Sequence, residues 1–251
     1  MLVIAKNNLF RHELGQTQSR RYAPIREPGP LLAWSDPTSP ESFWVRSLGS
    51  ESLRHYALSP LDPSDEASPS SQAGPGKVQS LPGFDSRLFT PLADGKPLYS
   101  TKTGLLRLGS AAGPAPFPEL VTTPTLLFAD SSPTRYWAAD ASGKLQLSDL
   151  EKGASPVVSA RVPGVVIDVA REGDRVAVLS LELRGQSYSP SVTIFERGEQ
   201  RGHLNIGPSV ATSVQPQLDL CLVAGRPWVV VGSRHWLQLL DWSAPRLLAE
   251  W

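Results

Sequence analysis

The sequence predicts an all-β chain assembled from repeated units of about four short strands. Of its 251 residues, 24 are Pro and 20 are Gly, so few stretches between breakers leave room for a helix of several turns. The apolar runs are short, rich in β-branched residues, alternate with period two and stop at Gly, Pro, Asp or Ser, as strands do. The same order of parts recurs every 40 to 50 residues, and an internal period of that length decides the architecture before any single element does.

The chain opens with Leu2-Val-Ile-Ala, read as a second strand, then Leu9-Phe-Arg-His and Arg21-Tyr-Ala-Pro-Ile; the first unit is expected to lack its innermost strand. A second unit runs from Leu31-Leu-Ala-Trp to Leu53-Arg-His-Tyr, and a third from Arg87-Leu-Phe-Thr to Leu105-Leu-Arg-Leu. The fourth has Leu126-Leu-Phe-Ala-Asp, Arg135-Tyr-Trp-Ala-Ala-Asp, Lys144-Leu-Gln-Leu-Ser-Asp-Leu and Val157-Val-Ser-Ala-Arg-Val. In the fifth, Val166-Ile-Asp-Val-Ala, Arg175-Val-Ala-Val-Leu-Ser-Leu, Ser191-Val-Thr-Ile-Phe-Glu and Gly202-His-Leu-Asn-Ile follow one another across tight turns. The sixth comprises Leu218-Asp-Leu-Cys-Leu-Val, Pro227-Trp-Val-Val-Val-Gly, Trp236-Leu-Gln-Leu-Leu-Asp-Trp and Arg246-Leu-Leu-Ala-Glu-Trp.

The middles of the third strands fall at positions 10, 55, 106, 147, 194 and 239, spaced by 45, 51, 41, 47 and 45. Gly/Pro punctuation after the fourth strands repeats the beat at Pro28-Gly29-Pro30, Pro82-Gly83, Pro124, Pro163-Gly164 and Gly207-Pro208. Four strands in 40 to 45 residues is the period of a propeller blade. Residues 1–251 are therefore expected to form one propeller of 23 strands, one short of six full blades. One insertion breaks the period: residues 59–76 are rich in Ser, Pro and Gly, a composition too poor in apolar surface to offset its ordering entropy, and read as a flexible loop.

The third-strand endings Leu147-Ser-Asp-Leu-Glu-Lys-Gly and Leu239-Leu-Asp-Trp-Ser resemble the hydrophobic-x-Trp-Asp ending of WD40-like β-propellers. That resemblance implies the architecture. No unit carries a Gly-His dipeptide before its first strand and the Trp-Asp dipeptide is missing, so the family's structural His/Asp hydrogen-bond network is not expected.

Lys plus Arg and Asp plus Glu each number 24, for a net charge of zero. That balance excludes a simple basic nucleic-acid binder and a polybasic membrane anchor. A single cysteine, Cys221, allows no internal disulfide, and neither a signal-peptide pattern nor an apolar run of membrane-spanning length is present. A bacterial-type cytoplasm is the expected compartment.

Motifs that carry chemistry are few. Gly74-Pro-Gly-Lys77 lacks the rest of a P-loop, and no dinucleotide, zinc-protease or nucleophile-elbow motif occurs. His12, His55, His203 and His235 are widely separated and read as structural; Cys221, between Leu220 and Leu222, reads as a buried thiol. Asp130, Asp140, Asp149, Asp174 and Asp241 sit at strand ends, where turn formation explains them; carboxylates from two blades could also compose a glycosidase-type site. No cofactor and no metal is expected.

Aromatic residues say more. Trp137, Trp228 and Trp236 fit packing between sheets. Trp34 and Trp44 flank the turn Asp36-Pro-Thr-Ser-Pro and read first as core, second as partner contacts. Arg20-Arg21-Tyr22 and Arg234-His235-Trp236 are small basic-aromatic clusters at strand edges. The reading is a non-catalytic protein-interaction module or scaffold subunit. Its protein partner is expected to add a strand at Leu2, Val3 and Ile4, with Trp34, Trp44, Arg20 and Arg21 as further candidate contacts, and neither nucleic acid nor membrane is an expected partner. The alternative is a propeller enzyme or carbohydrate-binding protein with its site in the central channel.

Overall fold

A computed structural model of the chain describes residues 2–5, 8–11, 20–21, 31–39, 41–47, 53–57, 77–79, 81–110, 114–118, 124–152, 155–207, 210–211, 219–223, 225–232, 236–244 and 246–250. The expected loop at 59–76, His12, Tyr22, Arg234 and His235 lie outside them, as do the side chains of Leu2, Val3, Ile4, Arg20, Arg21 and Cys221. The described chain is strands and turns with one 3-10 turn at Leu150–Lys152. No helix among the described residues is long and apolar enough to cross a membrane.

The chain divides into two compact units, Met1–Ala115 and Pro116–Trp251. In the first, β1 (Leu2–Ala5), β2 (Asn8–Arg11) and β3 (Arg20–Arg21) form one antiparallel sheet. A second contains β4 (Leu31–Ser35), β5 (Ser42–Ser47), β6 (Leu53–Ala57) and β7 (Lys77–Gln79), and a third β8 (Phe84–Pro91), β9 (Pro97–Thr101) and β10 (Gly104–Arg107). The second unit holds three more. They are β11 (Pro124–Ala129), β12 (Arg135–Asp140), β13 (Lys144–Asp149) and β14 (Ser155–Arg161); then β15 (Val165–Glu172), β16 (Arg175–Arg184), β17 (Ser187–Glu196) and β18 (Glu199–Asn205), with β19 (Val210–Ala211) on the far end of β17; then β20 (Asp219–Leu222), β21 (Trp228–Gly232), β22 (Leu237–Asp241) and β23 (Arg246–Glu250). Each sheet is a meander in which sequence neighbours pair.

Alternation along the strands acquires its meaning from this layering. On β16, Val176 and Val178 enter a core shared with Trp137, Leu145 and Leu147 of the preceding sheet. The intervening Ala177, Leu179 and Leu181 enter another, shared with Val229, Val231 and Leu240 of the following sheet. Period two thus divides one strand between two cores instead of between core and water. That is why β16 is buried continuously from Val176 to Leu181; β9 and β12 show equally unbroken burial.

Irregularities recur at the same place in successive sheets. Pairing of third with fourth strands slips at Leu147/Ser148, Ile194/Phe195 and Leu239/Leu240, on the very beat of the third-strand markers. Such bulges bend and twist a strand locally. First strands also adjoin one another within each unit: β1 lies against β4 and β4 against β8; β11 lies against β15 and β15 against β20. Asp168 on β15 ties the last pair by accepting the Leu220 N–H at 2.8 Å.

Two expectations change. β1 holds a first-strand position, since it meets β4 as β4 meets β8; the strand that this sheet lacks among the described residues is therefore the fourth, not the innermost. A meander of three strands reads alike from either end, and only the neighbouring sheet breaks the tie. Among the described residues the third sheet is also short, its fourth strand represented by one reciprocal pair, Leu105 N–H to Ala115 O at 2.8 Å and Ala115 N–H to Leu105 O at 2.7 Å. The 23 described strands equal the expected number, but β19 supplies one of them.

Candidate functional site

In the first unit, strand register places Trp34 opposite Trp44 and Trp44 opposite His55, a row of rings on one face of β4, β5 and β6. Phe89 of β8 packs on this row, 4.7 Å from Trp34 and 5.9 Å from Trp44 between centroids, and Trp44 lies 4.5 Å from His55. Trp44 is only 5% exposed and belongs to a core with Leu53, Phe89 and Tyr99. It offers no surface to a partner, because the adjacent sheet covers it. Trp34, at the margin of the same core, stays half-buried.

The His55 ring is fixed at its other side. Its Nε2 lies 2.9 Å from Asp36 Oδ2, while Asp36 Oδ1 accepts the Thr38 N–H at 2.8 Å and the Thr38 hydroxyl at 2.6 Å. Gly95 closes over this turn with φ +76°; a Cβ there would come within 2.9 Å of Asp36 Oδ1. A carboxylate-held imidazole is the base half of a nucleophilic site. Among the described residues no hydroxyl or thiol hydrogen-bonds His55 Nδ1, and the arrangement fastens the β4–β5 turn to β6. His55, read from the sequence as structural, thus holds a turn aspartate from the third strand of its sheet. Asp36 and His55 lie 19 residues apart on separate elements, and only pairing through β5 brings them together.

In the second unit a cavity of about 260 Å³ lies between the fourth and fifth sheets, lined by Asp130, Arg135, Trp137, Val158, Asp174 and Arg197 among others. Asp130 follows β11, Asp174 sits in the β15–β16 turn and Arg197 in the β17–β18 turn, so three hairpin ends converge there. Arg197 and Gly198 form a two-residue hairpin loop between paired Glu196 and Glu199, with φ of 53° and 82°. Positive φ at both positions is the type I′ pattern, which favours Asn-Gly; Arg197 is the one described non-glycine residue with positive φ. Its N–H donates to the Asp174 carbonyl at 3.0 Å and its Nε to Asp174 Oδ2 at 3.4 Å. A Cβ on Gly198 would meet Val158 at 2.8 Å, so glycine lets this turn seat against β14.

Other groups at the cavity retain hydrogen-bonding capacity. Arg135 donates through Nε to Asp149 at 3.4 Å, and its two Nη atoms make no hydrogen bond among the described residues. The Asp130 carboxylate accepts none there; Arg171 is its electrostatic neighbour. Burial pushes the Arg171 guanidinium down from its ordinary value, against the opposing pull of Asp130 and Asp174. Trp137 is 2% exposed, stacks parallel to Phe128 at 5.9 Å and tilts against Phe195 at 6.2 Å, and its indole N–H is buried without an acceptor.

Of the strand-end aspartates, three do what turn chemistry requires. Asp140 accepts from the Ser142 N–H and hydroxyl and the Lys144 N–H; Asp149 accepts from Glu151 N–H; Asp241 accepts from the Ser243 N–H and hydroxyl. Asp130 and Asp174 instead line the cavity, a role their sequence positions do not distinguish. His203 Nδ1 lies 3.1 Å from the Thr193 hydroxyl on the paired strand. Leu2, Val3, Arg20 and Arg21 share one sheet, where Val3 and Arg21 flank Phe10 and Leu2 and Arg20 flank Arg11. No group of three or more metal-ligating side chains occurs among the described residues.

No protein-family model matches the chain, and no curated protein matches it either. Among solved structures it is similar to apo AztD from Citrobacter koseri, with a TM-score of 0.53 and 11% sequence identity over 100% of this chain and 71% of that one. At this identity the likeness is one of fold alone: an all-β chain of antiparallel sheets with a propeller-like neighbour.

Proposed function

We propose that the six sheets are blades of a single WD40-like propeller that acts as a non-catalytic protein-interaction module, a scaffold subunit of a larger cytoplasmic complex. One observation carries this reading: among the described residues the first sheet stops at three strands, with β1 at one edge and the two-residue β3 at the other. A strand edge with unmatched N–H and C=O groups is a template for another chain. A partner strand there gains affinity from the main chain and selectivity from side-chain pockets. Leu2, Val3 and Ile4 form the β1 edge, Arg20 and Arg21 the β3 edge, and Trp34 is a half-buried anchor on the neighbouring sheet.

The test is co-purification from the native host, repeated with Val3→Pro and Ile4→Pro on β1 and with Arg20→Pro and Arg21→Pro on β3; successive N–H groups face opposite sides of a strand, so one variant of each pair deletes a donor on the open edge. With far-UV circular dichroism unchanged, loss of a stoichiometric partner in one variant identifies the edge. Retention of every partner by all the folded variants excludes strand addition at this sheet.

A further inference from the structure

We propose that the cavity between the fourth and fifth sheets is a binding site for a small zwitterion of the apolar α-amino acid class. This goes beyond the interaction reading and does not depend on it. Four charged side chains line the cavity, Asp130 and Asp174 against Arg135 and Arg197, so its charge is balanced but both signs are present. A ligand carrying both signs meets each with its opposite; one carrying a single charge leaves two of the four opposed by like charge. The rest of the lining is apolar, from Trp137, Leu147, Val157, Val158 and Val176, which suits an aliphatic side chain. The space, about 260 Å³, is below the roughly 300–1,000 Å³ of sites for drug-sized ligands, and so fits a small metabolite.

The hydrogen-bonding ledger agrees. Both Nη atoms of Arg135 and of Arg197 lack hydrogen-bond partners among the described residues, as does the Asp130 carboxylate. The Arg197–Asp174 contact is a single 3.4 Å approach between side chains 80% and 58% exposed, an ion pair of the kind that contributes little and yields readily to a ligand. Charge-assisted bonds from two guanidinium groups to a ligand carboxylate are stronger. Arg197 itself sits where a type I′ loop favours Asn, a departure from local preference of the sort that collects at functional sites.

Isothermal titration with L-leucine, L-leucinamide and N-acetyl-L-leucine tests the proposal, alongside the indole ¹⁵N–H signal of Trp137, assigned with Trp137→Phe. L-leucine is expected to bind and to shift that signal. Leucinamide, lacking the carboxylate, and N-acetyl-leucine, lacking the ammonium, are expected to bind at least about tenfold more weakly, the equivalent of about 1.4 kcal/mol each. Arg197→Asn suits the loop and so keeps the fold; Asp130→Asn removes a carboxylate that accepts no hydrogen bond among the described residues. Each is expected to lower leucine affinity at least about tenfold. Three results would overturn the proposal: no binding of any probe up to about 10 mM; equal affinity for all three; or leucine binding undiminished in both variants.

Discussion

Asp140 and Asp241 perform the same work at different turns. Burial pushes the Asp140 carboxyl up, but the Ser142 hydroxyl and the Lys144 and Ser142 N–H groups together outweigh it and hold the group below its ordinary value. For Asp241 the Ser243 hydroxyl leads, burial opposes, and the Ser243 and Ala244 N–H groups and Arg246 add to the lowering. A carboxyl with a depressed folded pKa contributes stability that is complete above its unfolded value, about 3.9, and is lost as pH falls through the folded one. Asp140→Asn removes that contribution. Its stability deficit against the parent, read from urea midpoints, is expected to be constant from about pH 7 to pH 5 and to close below about pH 4. Tyr136 runs the other way: burial raises its hydroxyl to about 12 against the pull of Ser148, so it stays neutral wherever the carboxylates matter. Arg197→Asn is expected to raise the melting temperature, since Asn tolerates positive φ far better than Arg; scanning calorimetry reads it.

At the scale of elements, the second and third strands of the fifth sheet carry two cores apiece. Leu179 and Ile194 are fully buried on the side facing the sixth sheet, Val178 and Phe195 on the side facing the fourth. Leu179→Ala is expected to cost about 2–5 kcal/mol, transfer and cavity terms together. An unchanged denaturant slope would show that the folded state is otherwise intact. Outer strands behave differently. Leu247 on β23 is 48% exposed, and its replacement by Ala is expected to change stability by no more than about 0.5 kcal/mol. The contrast between these two leucines, in one set of unfolding curves, checks the layering. Across the same strands the buried Ser180 and Ser191 hydroxyls, 3.1 Å apart, share a hydrogen bond.

For the whole molecule, far-UV circular dichroism is expected to show strand and turn with negligible helix, in keeping with the described elements. A closed six-bladed ring, as proposed, joins every blade to two neighbours and predicts a single cooperative thermal transition, with calorimetric and van't Hoff enthalpies equal. Two separable transitions, dividing the chain near Ala115 where the two compact units meet in sequence, would replace the ring with two independently folding bodies. Scanning calorimetry of the full chain decides between them.

The sequence by itself determined the class of the fold and its beat. Chain-breaker spacing forbids long helices, period-two runs make strands, and the markers at 147, 194 and 239 fall on real third strands at a real recurring bulge. It also placed Asp140, Asp149 and Asp241 in turns, because an Asx turn is closed by residues two positions away and is written locally. What only tertiary structure decided lies between sheets. Whether Trp44 faces water or Phe89 depends on the neighbouring sheet, and which position β1 holds in the first sheet depends on its contact with β4. The His55–Asp36 bond joins residues 19 positions apart, and the cavity brings Asp130 together with Arg197, 67 positions away. Backbone pairing is periodic, so it leaves a periodic trace in sequence. Sites made where one sheet meets the next, or where side chains converge across strands, obey no period and become legible only once the chain is folded.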